Sequence, residues 1–137
     1  MTVDEKLTWT QHMLKLKKSF AKKLGLLKKS RFLPRNVRQD LYFKVILPSV
    51  AYGLKLWGSC YNSNLFQSVE RLYCRAARLI FNLPKDMASA EVLQRAQWPT
   101  LSIYHKSAIF ICFHKAFHDR LPVTLIDLIS KKRATNY

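Results

Sequence analysis

Six large apolar side chains, Trp9, Met13, Leu16, Phe20, Leu24 and Leu27, follow one another at steps of four, three, four, four and three. That spacing tracks 3.6 residues per turn and keeps all six on one stripe of a helix expected over residues 8–30. Lys15, Lys18, Lys22 and Lys29 fall about 180° away from the stripe. Asp4 or Thr8 would cap its start, and Gly25 interrupts an otherwise unbroken pattern. Almost no stretch of the chain alternates with the period of two that a half-buried strand requires. TVDEKLTW, residues 2–9, reads as the end of a strand with nothing elsewhere to pair with it. The expected fold class is all-α, a compact bundle of about five or six helices.

Prolines divide the rest. Leu33-Pro34 ends the first helix, and Pro34 suits the first position of a second, whose inner face is Val37, Leu41 and Val45. The stretch ILPSVAYGLKLWG, residues 46–58, carries one Lys and no acid, and a further helical segment is expected from Pro48 to Trp57. Asn64 would cap a helix over residues 65–83 with Leu65, Val69, Leu72, Ala76, Leu79 and Leu83 inside. Arg71, Arg75 and Arg78 share one flank of it. Asn82-Leu83-Pro84 ends that helix, and a short one follows at residues 89–97 behind Ser89. Residues 101–119 form a helix apolar on nearly every side, through Ile103, Ile109, Phe110, Ile111, Phe113 and Phe117. Such a helix is expected at the centre of the bundle. Pro122 opens a last segment, residues 123–129, before a polar tail.

Charge points to a partner. The 137 residues carry a formal net charge of +16, and the stretch from Lys6 to Gln39 holds eleven Lys or Arg and no acid. Like charges at this density repel unless a polyanion is near, and the ordinary polyanions are nucleic acid and anionic lipid. Hydrophobic residues make up 49% of the chain, enough for a packed core. Three cysteines without a CxxC pair fit a reducing compartment. No apolar run reaches the roughly 18 residues of a membrane span, and the N-terminal residues lack a signal-peptide core. The expected location is intracellular, nuclear or cytoplasmic, with no membrane partner.

Reactive constellations are scarce. None of the eight acids forms a paired-carboxylate motif, and three glycines cannot make a phosphate loop. His114 and His118 have the i,i+4 spacing of a metal pair, with Asp119 adjacent, but no third ligand follows at a recognisable offset. Cys74 and Cys112 fall near apolar faces and read as core. No catalytic residue, metal or cofactor is expected. Two basic rows remain: Lys15, Lys18, Lys22 and Lys29, and Arg71, Arg75 and Arg78. The arginines are the sharper signal, because the guanidinium fork matches phosphate geometry.

DEKLTWTQH at residues 4–12 resembles the segment that leaves the palm in reverse transcriptases of non-LTR (LINE-type) retrotransposons. LYFKVILPSVAYGLKLWG at residues 41–58 is similar to that family's Y-x-x-x-I-x-P-x-x-x-Y-G-x-x-x-W-G stretch. It matches at Tyr42, Ile46, Pro48, Tyr52, Gly53, Trp57 and Gly58. VERLYCRAARLI at residues 69–80 resembles the family's L-Q-x-x-A-x-R-x-I helix, with Tyr73 where Gln is usual. SAEVL and FHDRLPVTL resemble the region downstream. Residues 4–57 also bear a weaker resemblance to the helical segment that precedes an AlkB-type tRNA-modifying dioxygenase.

The first resemblance implies a thumb and its following linker: residues 1–8 from the palm-to-thumb connection, 9–130 a helical thumb-like domain, 131–137 a polar tail. Fingers and palm are missing, and with them the family's Y-x-D-D aspartates and metal site. The implied function is a non-catalytic fragment that binds the backbone of RNA or RNA–DNA duplex through the lysine and arginine rows, without sequence specificity. Pro48, Gly53, Tyr52 and Trp57 would form an internal packing corner. The alternative is an inert or protein-interaction remnant that packs on a palm or fingers domain or self-associates.

Overall fold

The computed structural model describes residues 9–58 and 63–118, and among them every regular element is helical. α1 (Thr10–Lys29) leads through a 3₁₀ turn (Ser30–Phe32) to α2 (Arg35–Leu41). A wide π-type turn (Tyr42–Ile46) joins α2 without a break to α3 (Leu47–Ala51), and α4 (Leu54–Trp57) follows. α5 (Ser63–Phe81), α6 (Ser89–Ala96) and α7 (Leu101–Phe117) complete the bundle. With α2 and α3 counted as one rod, six helices lie among the described residues, in line with the expected five or six.

α1 forms as expected. Met13, Leu16, Phe20, Leu24 and Leu27 are buried, and Gly25 lies inside an unbroken helix. Trp9 takes the cap position with φ 59°; the expected caps, Asp4 and Thr8, lie outside the described residues. The stripe packs along α5, where Ala76 and Ala77 are fully buried and let the two rods approach closely. α6 packs against another flank of α5, burying Val92, Leu93 and Ala96.

The second rod is turned by one residue from the sequence expectation. Val37 and Val45 are exposed, and Arg38, Tyr42 and Ile46 point inward in their place. Two forces set this rotation. Tyr42 stacks on Trp98 with centroids 4.9 Å apart and planes 9° from parallel. Arg38, only 4% exposed, donates from Nη1 to the Leu79 carbonyl at 2.8 Å and to Asn82 Oδ1 at 3.3 Å. These acceptors sit at the C-terminal end of α5, where unsatisfied carbonyls gather partial negative charge. A hydrogen bond to a charged donor contributes roughly 1.5–3 kcal/mol in such a place. The π-type turn lies just ahead of Pro48, whose missing N–H and bulky ring fit poorly in a regular helix.

At the corner Gly53 supplies φ 71° at the start of α4, a conformation other residues resist. Trp57 is fully buried and its indole N–H donates to the Tyr52 carbonyl at 3.0 Å. Tyr52 itself is 69% exposed, so only its backbone serves the corner and its ring does not fill the interior. Along α5 the buried line runs through Val69, Tyr73, Ala76, Ala77 and Ile80, with Leu65, Leu72, Leu79 and Leu83 at its margin. The helix begins at Ser63, so Asn64 lies within it instead of capping it, and Ala88, not Ser89, occupies the cap position of α6.

The largest departure is α7. A helix with no polar face was expected at the centre, and it lies at the edge. Leu101 is buried, but Ile103, Phe110, Ile111, Phe113 and Phe117 are exposed. Tyr42, Trp57, Tyr73 and Trp98 already fill the interior, so α7 buries only Leu101 fully, sets the half-buried Tyr104 edge-on to Tyr73, and rests on α4 along one side. Residues 1–8 and 119–137, including the expected strand end, last segment and polar tail, lie outside the described residues.

Candidate nucleic-acid interface

The lysine row is positioned by the helix that bears it. Because the apolar stripe of α1 is fixed against α5, Lys15, Lys18, Lys22 and Lys29 face outward, and all four are exposed. From Lys15 to Lys29 the row spans about 21 Å at 1.5 Å per residue. α1 holds seven lysines and no acid, and the exposed Lys17 and Lys28 widen the row. The two ion pairs among the described residues are Lys44–Asp40 at 2.9 Å and Arg95–Glu91 at 3.0 Å. Lys18, Lys22 and Lys29 belong to neither.

The arginine row is less uniform. Arg71 and Arg75 are exposed on α5, on the side opposite its buried line. Arg78 is half-buried, and its Nη2 donates to the Met87 carbonyl at 2.7 Å. It therefore ties the α5–α6 loop to α5, with only part of its donor fork left for other contacts. Arg71 borders an open cleft of about 290 Å³ together with Gln67, Glu70, Cys74 and Ser89. The Glu70 carboxylate on that rim offsets part of the arginine's charge. Each row is turned away from the interface that α1 and α5 share, so the two rows occupy separate outer surfaces and do not merge into one patch.

Two further cations hold the fold. Arg38 caps α5 as described, and the Arg35 guanidinium lies 4.1 Å from the centroid of the Phe81 ring. Neither stands out in the apolar pattern of its helix. The signal that would have found Arg38 is its place in line with Tyr42 and Ile46, at steps of four.

The other candidates take structural places. Cys74 is buried and its thiol is pushed up, mainly by burial, so it stays protonated as a small core group. Cys112 is half-buried on α7. The His114 and His118 rings lie 4.3 Å apart and both are exposed. No cluster of three or more metal-ligating side chains occurs among the described residues, and Asp119 lies outside them. None of the described helices is long and apolar enough to cross a membrane.

Comparison with protein-family models, curated proteins and solved structures finds no match to this chain.

Proposed function

We propose that this chain is a non-catalytic, thumb-like helical module of a non-LTR retrotransposon reverse transcriptase, holding the backbone of RNA or RNA–DNA duplex. The observation that carries the reading is the lysine row, exposed along an acid-free α1 whose orientation is fixed by a fully packed stripe. A row of ammonium groups on flexible stems along one helix face binds phosphates as point charges and releases their counterions, and it carries no information about base sequence. Arg71 and Arg75 provide a second contact surface on another side of the bundle, so one duplex engages one row at a time.

The resemblance at Tyr42, Ile46, Pro48, Gly53 and Trp57 supports the thumb assignment, and these residues have the roles such a corner needs. Tyr42, Ile46 and Trp57 are buried, Gly53 has a positive φ, and Pro48 follows the wide turn.

The experiment is fluorescence anisotropy of a labelled RNA–DNA hybrid titrated with the full chain, with single-stranded RNA and duplex DNA of equal length as competitors. Preferential binding of the hybrid is expected. Equal competition by every polyanion would reduce the reading to unspecific charge attraction.

A further inference from the structure

We infer that the outer face of α7 is a self-association surface, on which a second copy of this chain docks through its own α7 about a twofold axis. Ile103, Phe110 and Phe117 recur every seven residues, and Lys106 and Phe113 follow the first two after three and three. This is the a/d spacing of a paired-helix seam, and it lies on the side of α7 turned from α4. Its apolar members are 51%, 72%, 60% and 69% exposed at Ile103, Phe110, Phe113 and Phe117.

Together these side chains present on the order of 600 Å² of apolar surface, the upper end of what a soluble monomer leaves uncovered. Pairing two such faces removes roughly 1,200 Å², the lower end of what specific protein interfaces bury. The area therefore suits a reversible dimer.

A face that meets its own copy must do so about a twofold axis. An antiparallel arrangement sets Phe110 against the partner's Phe113 and places Lys106 beside the partner's Phe117, where an ammonium is attracted to the ring face. A parallel arrangement would instead oppose Lys106 to the partner's Lys106. The net charge of +16 does not forbid the pairing, because the lysine row lies on the outer side of α1 and charges beyond about 8 Å are screened at physiological salt. The resulting dimer carries two lysine rows.

The test is sedimentation velocity on the full chain without nucleic acid, from low to high micromolar concentration, so its outcome does not depend on the binding reading. A monomer–dimer equilibrium is expected, with Phe110→Asp and Lys106→Glu each weakening it at least about tenfold, as loss of an interface anchor does. Lys106→Glu removes no apolar surface from the fold and serves if Phe110→Asp loses its helical circular dichroism. A chain that stays monomeric throughout, a dimer indifferent to Lys106→Glu, or open-ended polydisperse assembly would each overturn the inference.

Discussion

Tyr42 and Tyr73 face each other across the interior of the bundle, with Trp98 against both rings. The Tyr73 hydroxyl donates to the Pro99 carbonyl at 3.0 Å, whereas the buried Tyr42 hydroxyl has no partner. Burial, with neighbouring tyrosines adding to it, raises both phenols well above the usual phenol range. Below about pH 10 both states of the chain keep these protons, and the contribution to stability is complete. Above it the unfolded chain releases protons that the folded chain retains, so stability falls as pH rises, by about 1.4 kcal/mol per pH unit for each phenol. Urea midpoints measured from pH 8 upward should show this decline, and Tyr42→Phe should reduce it by about half, leaving the Tyr73 share, with stability at pH 8 nearly unchanged. Sequence patterning does not disclose this cluster. Trp98 sits beside a proline between two helices, and only the folded chain brings Tyr42, Tyr73 and Phe81 to it.

Helix positions were legible where one face alone is buried, as in α1, whose stripe and opposing lysines lie where the spacing puts them. The second rod was misread by one residue because apolarity favours Val37 and Val45, while the folded chain rewards the stack of Tyr42 and the carbonyls that Arg38 caps. α7 was misread for a different reason. A helix without a polar face can be central or can present an apolar face outward, and sequence pattern does not separate the two. It packs on α4, where Gly58 lies so near His105 and the Leu54 carbonyl that a Cβ would collide with both. Gly58→Ala should therefore lift α7 from α4 at a cost of about 1–3 kcal/mol, the usual penalty for overfilling a packed contact. Chemical denaturation would give the loss, and hydrogen exchange should speed up in residues 101–112 before it does in α1. Unchanged stability and exchange would show that the α4–α7 contact is loose.

At the scale of the molecule, the cations of this chain divide by task. Arg35, Arg38 and Arg78 hold the C-terminal end of α5 and its loop, and the half-buried Lys23 donates to Ser49 Oγ, while Lys15, Lys18, Lys22 and Lys29, with Arg71 and Arg75, look outward on separate surfaces. The sequence pattern put the four lysines, Arg71 and Arg75 on outer faces, but it disclosed neither the bond that holds Arg78 to the Met87 carbonyl nor the separation of the two surfaces, which follows from α1 and α5 packing face to face. If the lysine row is the main contact, binding to an RNA–DNA hybrid should weaken steeply and linearly on a log–log scale with salt. Each phosphate neutralised adds on the order of −0.9 to the slope on duplex DNA, and a comparable increment is expected on the hybrid. The decisive measurement is that slope for the unaltered chain beside a variant with Lys15, Lys18, Lys22 and Lys29 all changed to Gln. These four side chains are exposed, so the fold should be kept. A slope reduced by about two to four in the variant, with helical content intact, is the expected result. An unchanged slope would remove the α1 face from the interface and contradict the proposed function.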